Sequence, residues 1–503
     1  MTASARPPTV SIVGAGLGGA LMAIYLARRR FDVRVFERRP DIRNGVVDHG
    51  RSINMTIAER GLAALDCVGL REKVLSITMP LKARLVHAEG GRLQYQPYGR
   101  TPQQVHHSIK RSELNGLLLD AAEALPNVRV LFQKRYVTGG RDGGLFLVQD
   151  ERTGETEYAR ADVLVGADGA YSCLRREMQR DQPADCQVEY LAEGYKELTI
   201  PAGPSRTFRL DPEALHVWPR GDSVLIAIPN LDGSFTCTFT MPFKGDVSYR
   251  SIASRQAAQA FFERHFAEVV DLAPDIVDEF ASKPPARYLT TTIAPWCYTG
   301  RIVLLGDACH SVLPFYGQGM NAAFEDCRVL DECIAKHANR WDAAFSDYQR
   351  QRKPHTDALA RLSKDNYIEL KERIRSPVFL ARRRVDLALD RWFPSLFATL
   401  YALVTHTTIP YADAVARCER RRRWMRRTGL EAVLTLASTA IAAVTVARDW
   451  LRSPARPGRA AAPQVRDKNS HGARVDWAWQ GDDHVLDDGE ATSPRAARAG
   501  SPS

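Results

Sequence analysis

Between Arg301 and Arg328 the chain reads RIVLLGDACHSVLPFYGQGMNAAFEDCR. Residues 302–305 form a short continuous apolar run, which predicts a buried strand. Gly306 ends it, and Asp307 follows at the strand's carboxyl end, where a carboxylate can accept hydrogen bonds from sugar hydroxyls. Residues 320–326 contain good helix formers and no breaker, so a helix is expected to begin near Gly319. Between strand and helix, Pro314, Gly317 and Gly319 make a loop of little bulk, whose N–H groups can approach a flat ligand closely. The new helix aims its positive end at the same place, through Gly319, Met320 and Asn321. Gln318 adds an amide able to hydrogen-bond a reacting molecule, so Gly317, Gln318 and Gly319 are the candidate catalytic residues. Taken alone, a Gly-Asp turn after a strand also fits a plain turn.

Two other stretches must position this one. Residues 9–13 are β-branched and apolar, Gly14-Ala15-Gly16-Leu17-Gly18-Gly19 follows, and residues 20–29 have helical composition. Residues 33–36 read as a second strand, closed by Glu37 and Arg38. Strand, GxGxxG, helix, strand and acidic residue together predict dinucleotide binding. Gly14 permits the tight turn, Gly16 lets a pyrophosphate reach the backbone, and Gly19 lets helix and strand pack. Glu37 can accept from an adenosine ribose. Leu17, opening the helix, and Arg38 belong with these cofactor residues. Further on, residues 161–175 read ADVLVGADGAYSCLR, a strand running into Asp168 and Gly169.

A chain of 503 residues with 45% hydrophobic content suggests two or three domains around a large core. Nine cysteines with no CxxC pair argue against a disulfide framework or a metal site, and for a reducing compartment. The N-terminus, MTASARPP, lacks a signal pattern, so a cytoplasmic location is expected. Much of the net charge of +10 sits at Arg417, Arg420 to Arg423, Arg426 and Arg427, which reads as a solvated helix face rather than a nucleic-acid site. Residues 432–447 are uncharged but short of the ~20 apolar residues of a membrane span. They are expected to form a packing or interfacial helix. The neighbouring arginines would suit an anionic lipid surface, so a peripheral membrane contact through 417–447 stays open.

The three motifs, in this order, resemble those of the flavin aromatic hydroxylases of the para-hydroxybenzoate hydroxylase class. The resemblance implies FAD held by Gly14, Gly16, Leu17, Gly19, Glu37, Arg38, Asp168, Asp307, Gly319, Met320 and Asn321. It adds Arg51, within Gly50-Arg51-Ser52, and Arg111 at a helix start; bottom-up, both could be surface arginines. With one GxGxxG, NADPH has no Rossmann domain of its own. Residues 50–54, 194–198 (GYKEL), 234–238 (SFTCT), 314–326 and 365–369 (DNYIE) are similar to the kynurenine 3-monooxygenases, over roughly residues 9–450. This implies hydroxylation of L-kynurenine with O2, FAD and NADPH, beside the ring amine, after oxygen adds to the reduced flavin at C4a. It also implies that Arg84, Tyr98, Asn366 and Tyr401 hold the substrate carboxylate. Tyr316 departs from the usual phenylalanine, and Phe239-Thr240 from Leu-Phe. A hydroxylase of another aromatic acid, or a non-catalytic escort on the same fold, are the alternatives.

The expected fold is α/β: a Rossmann-like FAD-binding domain (1–180 and 290–340), an inserted, mostly antiparallel substrate sheet (181–289), and a C-terminal helical region (341–451). A disordered tail is expected over 452–503. The hairpin within 75–105 contributes to the substrate site. A three-residue loop, Gly90-Gly91-Arg92, would pair Glu89 with Leu93 and set Arg84 directly opposite Tyr98, on one face.

Overall fold

The computed structural model describes residues 8–45, 54–101, 103–139, 144–369, 371 and 376–452. Gly50, Arg51, Ser52 and the tail beyond Arg452 lie outside the described residues. Thr9–Val13 is the centre of a six-stranded sheet ordered Cys297–Tyr298, Ile302–Leu304, Val163–Gly166, Thr9–Val13, Asp32–Glu37, Val128–Phe132. Every neighbouring pair is parallel except the first, an antiparallel edge. Strands such as Val163–Gly166 are buried along their length because helices Leu17–Arg28 and Gly319–Lys336 cover the sheet. The three sequence motifs therefore end side by side at the carboxyl edge of adjacent strands, where open α/β sheets bind ligands.

A second sheet has seven strands: Ala286–Ala294, Asp185–Ile200, Phe235–Pro242, Ser223–Pro229, Ala214–Arg220, Ala83–His87 and Leu93–Pro97. It is larger than the expected 181–289 segment, because the hairpin joins it through the one parallel pair, Ala83–His87 with Ala214–Arg220. Strand Ala286–Ala294 was not foreseen. Alternation gives the sheet two distinct faces. Trp218, Leu225, Cys237, Phe239 and Met241 pack on the helices Arg255–His265, Ala267–Leu272 and Ile276–Ser282. Arg84, Val86, Leu215, Ile226, Thr238 and Thr240 share the other face. Val86 there meets Phe315 of the flavin-side loop.

Strand Asn54–Ile57 pairs with His106–Lys110 and is followed by helices Glu59–Cys67 and Arg71–Leu75. The C-terminal region is helical as expected, led by Trp341–Ile368 and closing with Leu430–Arg452. All nine cysteines are free.

Candidate active site

At the first motif, Gly14 has φ +100°, and a Cβ there would lie 2.4 Å from the Ala167 carbonyl oxygen. A Cβ on Gly19 would lie 1.9 Å from the Gly14 oxygen. These two glycines are required by close packing. Nothing lies within 4 Å of a Cβ placed on Gly16, so the backbone there borders open space, as a pyrophosphate needs. Helix Leu17–Arg28 begins with neither a side-chain cap nor an acidic residue, which leaves its positive end free for an anion. Glu37 does more than await a ribose. Its Oε2 accepts from the Ala15 N–H at 2.9 Å and its Oε1 from the Arg39 N–H at 3.0 Å, pinning the glycine loop. Arg38 is exposed beside it.

Asp168 likewise has a structural duty. Its Oδ2 accepts from the Cys173 N–H at 2.7 Å and the Leu174 N–H at 3.3 Å, capping helix Cys173–Asp181, while Oδ1 is buried with no partner. Burial pushes its carboxyl up, against the pull of Ser172 and those N–H groups. Asp307 is exposed to the cleft yet enclosed by protein, and that enclosure raises its carboxyl, with His310 and Arg111 pulling it back. Arg111, at the start of helix Arg111–Glu123, thus faces the same opening. Arg175 ties the Asp168 and Asp307 turns together by donating to the Ala308 oxygen at 2.9 Å and the Ala170 oxygen at 2.7 Å.

The loop before helix Gly319–Lys336 is held from below. Gly317 has φ +65°, and a Cβ there would meet the Thr56 hydroxyl at 2.5 Å. The Asn321 side chain is consumed internally: Oδ1 accepts from the Ala58 N–H, and Nδ2 donates to the Thr56 and Gly317 oxygens. Only its backbone can face a cofactor. Met320 is half-buried against the core. Gln318 is fully buried, its Oε1 accepting from the Tyr411 hydroxyl at 3.1 Å, and its Nε2 without a partner. A direct contact from Gln318 to an entering molecule therefore requires the side chain to move. This helix, too, starts with no side-chain cap and no acid in its first turn. An open Gly16, two uncapped helix starts and a carboxylate in the cleft fit a dinucleotide carrying an anionic ring system.

Across from this loop, Arg84 is 6% exposed, and its Nε and Nη1 have no partner. Burial works against its charge, and Tyr98, Tyr401 and Glu369 more than offset that. Burial also raises the Tyr98 and Tyr401 hydroxyls, so both remain donors. The two rings stack with centroids 5.8 Å apart. The expected loop was off by one. Ala88 and Arg92 bond across it, the loop is Glu89-Gly90-Gly91, and Arg84 stands opposite Gln96. Because the shift moves the pairing by two residues, Arg84 and Tyr98 still share a face, as diagonal neighbours.

Three residues here, His106, Tyr288 and Arg383, had no sequence signal. Tyr401 bonds His106 Nε2 at 2.8 Å, and burial holds that imidazole neutral, its pKa near 3. Arg383 bonds Glu369 at 3.3 Å, within electrostatic reach of Arg84. Asn366 donates to the Phe315 oxygen at 2.5 Å, which fixes the loop and leaves its second N–H and its amide oxygen available. Tyr195, Tyr288, Phe315 and Tyr367 follow one another with centroids 4.5–5.1 Å apart, the outer two pairs stacked and Tyr288 tilted on Phe315. They form the aromatic wall. Thr240 belongs to it, bonding the Tyr288 hydroxyl at 2.7 Å, whereas Phe239 points to the opposite, helix-packed face. Tyr316 packs against Tyr401.

A Rossmann sheet with an open glycine loop, facing an apolar β-sheet with a buried cation, defines a flavin-dependent monooxygenase. A family model described as an FAD binding domain matches residues 8–363. The chain is 45% identical over 439 residues to a kynurenine 3-monooxygenase of Salinispora arenicola, covering 87% of this chain and 96% of that one. It is 43% identical over 407 residues to one from Myxococcus xanthus, covering 81% and 88%. The chain belongs to the kynurenine 3-monooxygenase family of FAD-dependent enzymes. Solved structures share the fold: 2-methyl-3-hydroxypyridine-5-carboxylic acid oxygenase (TM-score 0.59, 20% identity, 75% of this chain and 97% of that one) and P. aeruginosa PqsL in complex with 2-aminobenzoylacetate (TM-score 0.60, 21% identity, 74% and 98%).

Asp307→Ala is expected to weaken FAD retention roughly ten- to a hundredfold, the loss of one charged hydrogen bond. Flavin absorbance after extensive dilution and gel filtration measures it. Full occupancy would refute the assignment.

Proposed function

We propose that the chain hydroxylates L-kynurenine to 3-hydroxy-L-kynurenine, using O2 and NADPH. The observation that carries this reading is Arg84, a buried guanidinium with two unpartnered N–H donors beside two protonated tyrosines. A buried guanidinium with free N–H donors fits a carboxylate, whose oxygens accept charge-assisted hydrogen bonds. The aromatic wall and the apolar residues Leu215 and Ile226 would receive the aniline ring. Bound FAD would carry the reducing equivalents taken from NADPH and supply the oxygen activation. The chain's own work is then positional. Arg84, Tyr98, Tyr401 and Asn366 anchor the amino-acid end, which sets the ring's depth beneath the Gly317–Asn321 loop. The C-terminal region excludes water, as Tyr401 reaches His106 and Arg100 pairs with Asp390 at 3.1 Å. The helix beginning at Gly319 stabilises negative charge at its N-terminus. Gly317 and Gly319 keep that approach free of side chains.

The test is aerobic turnover with L-kynurenine and NADPH, the product identified by mass and retention time. The expected result is one 3-hydroxykynurenine per NADPH oxidised. NADPH consumption without hydroxylated product, or a purified protein without flavin, would reject the reading.

We also propose a peripheral lipid contact. Among the described residues no single helix is long and apolar enough to cross a membrane. Helix Leu430–Arg452 nevertheless touches the protein mainly along Leu434, Ser438 and Ala442, leaving Val433, Leu436 and Val444 60–72% exposed. Arg-rich helix Tyr411–Arg427 adjoins it, with exposed Trp424. This combination suits an anionic membrane surface. Flotation with phosphatidylglycerol vesicles should recover the protein at low salt, and Leu436→Glu should abolish recovery. A protein that stays at the bottom of the gradient refutes it.

A further inference from the structure

Gln96 is 7% exposed, and neither its Oε1 nor its Nε2 has a hydrogen-bond partner. A buried amide left wholly unsatisfied is costly, and few native groups tolerate it without a reason. Its position suggests the reason. Gln96 stands directly opposite Arg84 in the hairpin and two residues from Tyr98, so all three share the face that meets Phe315. Directly opposite side chains leave the strands about 5 Å apart at Cβ. Four unpartnered polar atoms therefore lie on two adjacent side chains: donors at Arg84 Nε and Nη1, a donor at Gln96 Nε2 and an acceptor at Gln96 Oε1. Arginine offers no acceptor. The amide oxygen is what a zwitterionic head group needs for its ammonium once arginine has taken its carboxylate. The rival acceptors are the Asn366 amide oxygen and Glu369, which already receives a hydrogen bond from Arg383.

We infer that Gln96 is a specificity-determining residue which accepts a hydrogen bond from the substrate's α-ammonium group, so that the Arg84–Gln96 pair selects α-amino acids over deaminated acids. This rests on the kynurenine reading. The test compares L-kynurenine with its desamino analogue, 4-(2-aminophenyl)-4-oxobutanoate, in the FAD-loaded wild type, Gln96→Met and Glu369→Gln. Binding is followed by perturbation of the flavin spectrum, and turnover by product formation. Wild type should prefer L-kynurenine roughly ten- to a hundredfold, the worth of one charged hydrogen bond. Gln96→Met should weaken L-kynurenine by that factor, leave the analogue unchanged and so erase the preference. Its melting temperature should hold or rise, because methionine removes an unsatisfied amide at similar volume. A lower melting temperature with equal losses for both substrates would make Gln96 merely structural and overturn the inference. So would a preference that survives Gln96→Met or disappears only in Glu369→Gln. Should wild type bind and turn over neither compound, the kynurenine reading itself falls, and the inference with it.

Discussion

Arg84→Ala is expected to raise the KM for L-kynurenine about a hundredfold while leaving FAD occupancy unchanged. The guanidinium holds two unpartnered N–H donors in a buried setting. Each charge-assisted hydrogen bond contributes about 1.5–3 kcal/mol, and 1.4 kcal/mol is a tenfold change in affinity. Two bonds would give more than a hundredfold. The expected figure is lower because Arg383 lies within electrostatic reach and is disfavoured by Arg84, so removing Arg84 frees it to substitute in part. Tyr98→Phe removes one hydroxyl and should cost about tenfold or less, since the ring still stacks on Tyr401. Neither change touches Gly16, Asp168 or Asp307, which is why flavin retention separates the substrate role from general damage. Steady-state kinetics with parallel flavin absorbance decide it. An unaltered KM, or flavin lost in step with activity, would sink the carboxylate assignment.

Glu325→Ala should destabilise the protein by about 3–5 kcal/mol, the usual cost of breaking a buried ion pair from one side. Glu325 sits between two buried arginines, Arg60 at 3.0 Å and Arg352, while Arg352 also bonds Asp326 at 2.6 Å and Asp326 bonds His310. Arg60 reaches on to the Val404 and Ile409 oxygens at 3.2 and 2.9 Å, and lies over the Tyr411 ring. The network thus joins the flavin-side turn to the C-terminal region. Alanine leaves two guanidiniums without their shared anion. Glu325→Gln keeps an acceptor and should lose less. Denaturant midpoints measure both, and an unchanged midpoint for alanine would disprove the role.

The signs of the pH dependence follow. Burial raises Glu325 and Asp326, but their cationic partners pull further, and the net direction is down for both. Their contribution is present above the unfolded carboxylate value of about 4 and is lost as pH falls through the lowered values. Burial disfavours the His310 cation, and Asp326 more than compensates, so its value is raised. That contribution is complete below about 6.5 and is lost as pH rises through the raised value. His310→Gln should therefore flatten the alkaline limb and also weaken the acid limb, because His310 is the largest of the cationic pulls on Asp326.

The flavin half was legible in the sequence because each of its parts is local. A β-branched run, a glycine turn and a carboxylate occur within a few residues, and physics forces each type at its place. Gly14 and Gly19 illustrate this, since any side chain there strikes backbone. The substrate half depends on register, and the turn sits one residue earlier than glycine placement alone suggests: Glu89 takes a loop position and Arg92 bonds back to Ala88. Parity survived, so Arg84 and Tyr98 met, but the residue opposite Arg84 could not be foreseen. Arg60, Arg352 and Arg383 look like solvated helix charges in a linear reading. Their partners lie on other elements, and no periodicity announces a buried guanidinium. Asn321, Glu37 and Asp168 stand at the ends of the motif strands and helices, yet much of their hydrogen bonding serves the scaffold.

The order of the six-stranded sheet bears on how the chain is made. Strand Val163–Gly166 receives its neighbour Ile302–Leu304 only after the whole inserted sheet has been synthesised. Until then a nascent chain carries an apolar strand, VLVG, with an unpaired edge, the kind of template that pairs with other chains. Non-local pairings of this sort also close slowly. Asp307 lies three residues beyond the late strand, so the last pairing to form in the flavin domain is the one that delivers the third of its carboxylates, after Glu37 and Asp168. A ribosome-bound fragment ending before residue 302 would hold the glycine loop but not a complete cleft, and its exposure to aggregation would end only when that strand docks.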